Sequence, residues 1–436
     1  MAKYEVKDGV GIIPEGTTEL EYKDWNGAFE DCTELTSIII PNSVMVIGNN
    51  AFKGCTGLTS VVLPEKLTEI GEYAFSGCTG LTNIVLPNSL EKIEMLAFED
   101  CKKLTELTIS KSVAKISLDA FDGCTSLNRI TVADGNTVYD SRNNSNAIIK
   151  TANNYLLKGC SSTVIPDSVK TIGRWAFMGC KDITSIVIPN SVTVIGESAF
   201  SGCSGLTNVV LPDTVTEIGG NAFDGCTALT SIVIPASVTE IGSSPFAGCS
   251  ALSSIVVSEE NKVYDSRNNC NAIIKTESNE LLTGCKSTII PDTVTSIGWY
   301  AFREQSSLTE LTIPASVTKI GLNVFAGCIE LISLTIPATV TQLDESSTFD
   351  GCTSLKTANI PCDVEEMHYT FRFCSALETV TLPKVVKKMG EQAFRGCTSL
   401  KAIYVPAKRK DYYKKRIPTE LHSLIVELAA EKKAKK

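Results

Sequence analysis

The chain has 436 residues, 43% apolar and 20% charged, with a formal net charge of −9. That is length for two or three ordinary domains, and the acidic balance gives no reason to expect nucleic acid as a partner. No run of 18 apolar residues occurs, so no membrane span is expected. The opening MAKYEVKDGVGIIPEG lacks the apolar core of a secretory signal. As written the chain therefore reads as cytoplasmic, with secretion or a cell-surface position as the alternative if a leader has been removed.

Residues 1–31 read as an atypical capping turn. GIIPEGTTEL follows a strand-and-return pattern, but Pro14 and Pro41 lie 27 residues apart, with EYKDW as a bulge before Ala28-Phe29. A terminal repeat that departs from the pattern suits an exposed core edge. The pattern then becomes strict. Leu58, Val61, Leu63, Leu67, Ile70, Ala74, Phe75 and Cys78 return 23 residues on as Leu81, Ile84, Leu86, Leu90, Ile93, Ala97, Phe98 and Cys101. A fixed period of this length marks a repeat array. Such arrays fold as a stack, because one unit buries too little apolar surface alone. This overrides the count of ordinary domains.

Within a turn, segments such as LTSVVL alternate inward and outward as a β-strand does. Proline often ends them, at Pro41, Pro64, Pro87, Pro189, Pro212, Pro235 and Pro314. A second short strand such as LTEIG follows, then a glycine, and AFxGC reads as a short helical or 3₁₀ turn whose Phe fills the core. Thirteen of the 17 cysteines follow a Phe by three residues. They are expected as a ladder of buried thiols, with some disulfides or a metal as lesser alternatives. Zinc has no support, since there is no CxxC and no Cys/His cluster.

ITSIVIPNSVTVIGESAFSGC (183–203) resembles the BspA-like, or Treponema pallidum-type, leucine-rich repeats, and the likeness covers about residues 10–406. It implies a β-rich solenoid: a right-handed leucine-rich repeat superhelix with a parallel sheet along one face. It also implies kinship with bacterial surface proteins that bind host or other bacterial proteins.

The period breaks twice in the same way. Phe121 to Phe177 and Phe246 to Phe302 each span 56 residues, a 23-residue turn plus a 33-residue one. The longer units, 136–166 and 261–291, carry AIIKT and a following LL around a polar turn, which reads as a β-hairpin. The resemblance includes such hairpin units. The repeats thus occupy 32–406. Beyond Phe302 the array is expected to loosen, with Gln305 in place of a Cys and Phe spacings of 24 and 22. Residues 407–436 carry ten Lys/Arg against four Asp/Glu and read as a basic cap and tail. AKRKDYYKKR is expected as a helix, HSLIVEL as a closing strand and AAEKKAKK as a frayed end.

No catalytic motif is present, and two histidines, His368 and His422, are the whole complement. The expected function is non-catalytic protein binding by a monomer or weak self-associator, with no cofactor; a structural, self-assembling surface protein is the alternative. Outward strand positions such as Val62, Val85, Val210 and Val233 are either ordinary strand formers or a flat contact surface. Sharper candidates follow each hairpin unit, where Arg174-Trp175 and Trp299-Tyr300 precede Ala-Phe. Trp, Tyr and Arg are enriched in binding hot spots. With Tyr139, Arg142, Tyr264 and Arg267 they form either two matched contact patches or packing against the hairpins.

Overall fold

A computed structural model describes residues 4–20, 27–344 and 347–429. The EYKDW bulge and the tail beyond Ala429 fall outside them. Two units form, Met1–Phe223 and Asp224–Lys436, and each is a parallel β-solenoid built from the same turn.

The turn starting at Leu58 shows how the residues make the fold. Strand Ser60–Val62 buries its middle residue and exposes the two beside it, as successive strand side chains must. Pro64 ends it, having no N–H for the ladder, and its carbonyl accepts from Leu67 N at 3.1 Å. Strand Glu69–Ile70 turns Ile70 inward. Tyr73 and Gly77 then adopt left-handed φ values of 56° and 72°, curling Ala74-Phe75 into the core. This corrects the expected helical or 3₁₀ turn. The i→i−3 bonds are there, with Cys78 N on Phe75 O at 3.1 Å, but two left-handed residues prevent a helix.

Three ladders join each turn to the next. First strands pair in parallel, Ile38 with Val61 and Ile39 with Val62. Second strands do the same, Ile47 with Ile70 and Ile70 with Ile93. In the curled segment, Asn50 N, Phe52 N and Gly54 N donate to Glu72 O, Ala74 O and Ser76 O at 2.9, 2.7 and 2.7 Å. In the second unit, Leu311 pairs with Leu334 and Ile320 with Leu343. There Phe302 N reaches Val324 O at 3.0 Å.

Phenylalanines stack along the interior. In the first unit, rings from Phe29 to Phe121 and from Phe177 to Phe223 lie 5.0–5.5 Å apart. In the second, Phe302 to Phe394 lie 5.5–5.8 Å apart. The uneven spacings after Phe302 therefore do not break the stack: the 24- and 22-residue steps give 5.7 and 5.5 Å, against 5.8 and 5.7 Å for the regular steps beside them. The thiols bond along the same direction: Cys55, Cys78 and Cys328 donate to the carbonyls of Phe29, Phe52 and Phe302 at 3.0, 3.1 and 3.1 Å. A small apolar group that can also donate explains cysteine at this position. Where Gln305 replaces it, the longer amide donates to Phe246 O at 2.9 Å.

Each 33-residue unit inserts an antiparallel hairpin into the second-strand sheet. Ala147–Lys150 pairs antiparallel with Tyr155–Gly159, which pairs in parallel with Thr171–Ile172. Ala272–Lys275 and Glu280–Gly284 repeat this in the second unit, against Ser296–Ile297. Asn136 holds the entry, donating to Ser110 O and Val113 O and accepting from Val138 N and Tyr139 N. Asn261 makes the same four bonds. Gly159 and Gly284 stand where a Cβ would lie 2.1 and 2.3 Å from the Phe177 and Phe302 rings.

Strands Glu5–Lys7 and Val10–Ile12 form a hairpin that joins the first sheet at Ser37–Ile38, and Tyr4 stacks on Phe29 at 5.6 Å. At the other end the basic segment is helical only over Lys410–Lys414. Strand Ile425–Glu427 pairs with Ile403–Val405. No helix among the described residues is long and apolar enough to cross a membrane.

All seventeen thiols are free, and all but Cys362 and Cys397 are buried. Burial pushes the Cys78 thiol up to about 12 and that of Cys180 to about 11, so neither forms thiolate at neutral pH. A chromogenic disulfide reagent at pH 8 should titrate at most two thiols quickly in the folded protein and all 17 in denaturant. Rapid reaction of five or more would mean that the ladder opens.

Candidate functional site

The eight residues singled out from the sequence separate into two groups. Tyr139 and Tyr264 are only 4% and 5% exposed. Tyr139 Oη accepts from Ile116 N at 3.0 Å and Tyr264 Oη donates to Thr239 O at 3.3 Å. They pack the hairpin units and present nothing to a partner. Arg142 and Arg267 are half-buried and fully engaged. Arg142 pairs with Asp140 at 2.8 Å and donates to Asn154 and Ser168 at 2.8 and 3.2 Å. Arg267 pairs with Asp265 at 2.5 Å and donates to Asn279 and Thr293 at 2.7 and 3.3 Å. Each guanidinium ties its hairpin to the following turn, so for these four the arrangement is the packing alternative.

Arg174, Trp175, Trp299 and Tyr300 remain on the surface. Arg174 lies over the Trp175 ring at 3.8 Å and pairs with Glu197 at 3.0 Å. Trp299 is 58% exposed, and its indole N–H donates to Asp344 at 3.2 Å. The ring crosses Gly321, where a Cβ would sit 2.5 Å from it. Beside it lies a cleft of about 350 Å³, bordered by Ser243, Glu280 and Lys319.

Backbone strain marks these aromatics. The residue before Ala-Phe is left-handed at Asn50 and Asn221, and Asn323 holds that place before Val-Phe; asparagine tolerates the conformation. Trp175 and Tyr300 hold the same conformation, at φ 57° and 59°. It costs a bulky side chain roughly 1–2 kcal/mol, and because Tyr73 and Leu96 hold it too, at φ 56° and 54°, the strain belongs to the turn position and does not by itself single out these two rings.

The sequence reading gave less weight to the outward face of the first-strand sheet, which carries an apolar stripe. In the first unit Ile39, Val62 and Val85 are exposed in successive turns, as are Val164, Val187 and Val210; Val187 is 83% exposed. In the second unit Val233, Val256 and Ile289 are exposed in the same register position. Ile39 pairs with Val62, Val187 with Val210 and Val233 with Val256. Flanking outward residues Ser60, Asn83, Ser185 and Asn208 are uncharged. The available signal was the column itself: Thr occupies this position at Thr312 and Thr335 and satisfies strand propensity equally well.

No constellation for catalysis assembles among the described residues. His368 bonds Glu366 at 2.5 Å and His422 bonds Ile417 O at 3.0 Å, so neither is paired with a nucleophile. No acidic, Cys or His group among the described residues is placed to hold a metal ion. One buried charge pair stands apart. Lys158 is 3% exposed and lies 4.0 Å from Asp122. Burial pushes the Asp122 carboxyl up to about 6, opposed by Lys158 and reinforced by Asp119 and Glu99. The second hairpin unit has Thr283 and Ala247 at the matching places, so its fold does not need the pair.

The family described as "BspA type leucine rich repeat region (6 copies)" matches the chain three times, over residues 25–149, 150–275 and 273–401. A leucine-rich cell surface protein from Faecalibacterium prausnitzii is similar at 28% identity, over 87% of this chain and 89% of that one, with a TM-score of 0.53. A leucine-rich repeat protein from Bacteroides ovatus is 25% identical over 98% of both chains, with a TM-score of 0.41. The Treponema pallidum leucine-rich repeat protein is 27% identical over 48% of this chain and 86% of that one, with a TM-score of 0.30. No match is found among curated proteins.

Two measurements check this geometry. Tyr300→Asn and Tyr300→Ala lose the same ring, but only asparagine suits the left-handed backbone. In chemical denaturation the Asn variant should be the more stable by about 1 kcal/mol. The second concerns Asp122. Because its carboxyl is raised in the folded state, its stabilising protonation is present below the ordinary carboxylate range and is lost as pH rises through about 6. Stability relative to Asp122→Asn should therefore fall between pH 4 and pH 7, by about 2 kcal/mol. Parallel pH profiles for the two proteins would contradict it.

Proposed function

The chain belongs to the BspA-type leucine-rich repeat family, and we propose that this member is a non-catalytic scaffold that binds a protein partner. The contact is the outward face of the first-strand sheet. One observation carries the reading: successive turns place Val164, Val187 and Val210 on an uncharged face, open to water. Aligned aliphatic residues on a flat sheet offer apolar area that needs little ordering on contact, and contiguous exposed apolar patches mark interaction sites. Burying such area is worth roughly 25 cal/mol per Å². Arg174-Trp175 and Trp299-Tyr300 add aromatic anchors. The F. prausnitzii relative is described as a cell surface protein, which supports the same setting here. Buried thiols with raised pKa are compatible with an oxidising exterior, because the thiolate is the species that exchanges.

The test is Val187→Glu with Val210→Glu. Both side chains point outward, so the circular dichroism melt should stay within about 2 °C, as is usual for surface changes. Proteins retained by the wild type from bacterial and host lysates should be lost from the variant. Unchanged retention would overturn the reading. Light scattering that shows mass growing with concentration in the wild type, and not in the variant, would put a second copy in the partner's place.

A further inference from the structure

From Phe302 to Phe371 in the unit Asp224–Lys436, the curled segment of one turn donates to the turn after it. Phe325 N and Gly327 N donate to Thr348 O and Asp350 O at 3.0 and 2.7 Å, and Phe349 N and Gly351 N to Thr370 O and Arg372 O at 3.0 and 2.7 Å. Phe371 N and Phe373 N then donate to Ala393 O and Arg395 O at 3.0 and 2.6 Å. In the last turn the matching donors are Phe394 N and Gly396 N. Neither has an acceptor among the described residues.

The described residues of the cap do not reach them. Tyr413 donates to Pro383 O at 2.6 Å and Tyr412 to Val386 O at 2.8 Å, while Ile425 pairs with Ile403. These contacts close the strand side of the last turn. On the curled side a cleft of about 800 Å³ remains, with Phe394, Gly396 and Cys397 along one wall. Cys397 is partly exposed, whereas its equivalents in earlier turns are buried. Arg395, Lys414, Lys415 and Arg416 border the cleft, against Glu391 and Glu420. Arg416 is occupied by the Tyr412 ring at 3.7 Å. Lys414 and Lys415 are exposed and have no ion-pair partner among the described residues.

The geometry points to an oxyanion site in this cleft: Phe394 N–H and Gly396 N–H as backbone donors, with Arg395, Lys414 and Lys415 as countercharges. The ligand class is a phosphate, sulfate or carboxylate group, either free or pendant on a partner. Successive backbone N–H groups make concavities that favour anions. Here they stand at the positive end of stacked peptide dipoles, as at a helix N-terminus.

The experiment is calorimetric titration of the full chain with inorganic phosphate, sulfate and acetate, each against chloride at matched ionic strength. At least one oxyanion should bind to the wild type. Affinity should drop at least tenfold in the triple variant Arg395→Gln, Lys414→Gln, Lys415→Gln, which circular dichroism would show to be folded. A phosphoserine peptide that binds more tightly than inorganic phosphate, and is displaced by it, would place the group on a partner chain. Equal affinity would assign the site to the free ion. Wild-type binding no stronger than that of chloride, or equal affinity in the variant, would overturn the proposal. Crystals soaked in selenate give a second readout that does not depend on the variant. Anomalous density within hydrogen-bond distance of Phe394 N and Gly396 N supports the site, and its absence there counts against it.

Discussion

Each turn of this protein leaves its backbone N–H and carbonyl groups to be satisfied by its neighbours. With almost no helix among the described residues, local i→i−3 bonds such as Cys78 N to Phe75 O satisfy only part of them, and buried peptide groups without partners are costly. The curled Ala-Phe segment is where the demand is strictest. Three donors there must meet three carbonyls of the next turn at once, as Asn50, Phe52 and Gly54 meet Glu72, Ala74 and Ser76. The rest of the sequence pattern serves that match. Gly27 is so close to the next turn that a Cβ would lie 1.6 Å from Asn50 O. The left-handed glycine before cysteine bends the chain without a Cβ penalty. Cysteine adds a donor where a methyl group would only fill space.

The hairpin units show how the ladder is carried across an interruption. In both, a glycine takes the place of bulk beside the next phenylalanine, Gly159 for Phe177 and Gly284 for Phe302. Beyond that the two interiors are solved differently. The first uses Lys158 opposite Asp122, with Cys180 in the thiol column. The second uses Thr283 opposite Ala247, with Gln305 stretching to Phe246 O. A buried lysine requires a nearby carboxylate, and a thiol is too short for the bond that the glutamine amide makes.

This explains what was legible in the sequence. The 23-residue period, the inward columns and the hairpins follow from local periodicity, whereas the left-handed backbone at Asn143, Asn144, Asn268 and Asn269 emerged only with the structure. Residue type alone did not tell which way a side chain faces. Tyr139 and Arg142 have the composition of a binding hot spot, yet their partners, Ile116, Asn154 and Ser168, lie 23, 12 and 26 residues away. Nothing local announces such distant satisfaction. The extent of the C-terminal cap was equally hidden, because Pro418 and the 3₁₀ turn Thr419–Leu424 follow a helix of only five residues.

A repeat of this kind is poorly suited to catalysis and well suited to contact. Catalysis needs unlike groups converging on one point, whereas stacking sends like groups into parallel columns. Twelve of the thirteen equivalent cysteines, all but Cys397, become a buried column rather than one activated nucleophile. Variation is free only where the ladder makes no demand: at the outward strand position and at the exposed residue after the second-strand glycine. Valine in place of threonine at the first, and tryptophan at the second, therefore carry information that the buried columns do not. The end of a ladder is the other place where the constraint lapses. There the donors that elsewhere hold the fold together, Phe394 N and Gly396 N, have no acceptor among the described residues.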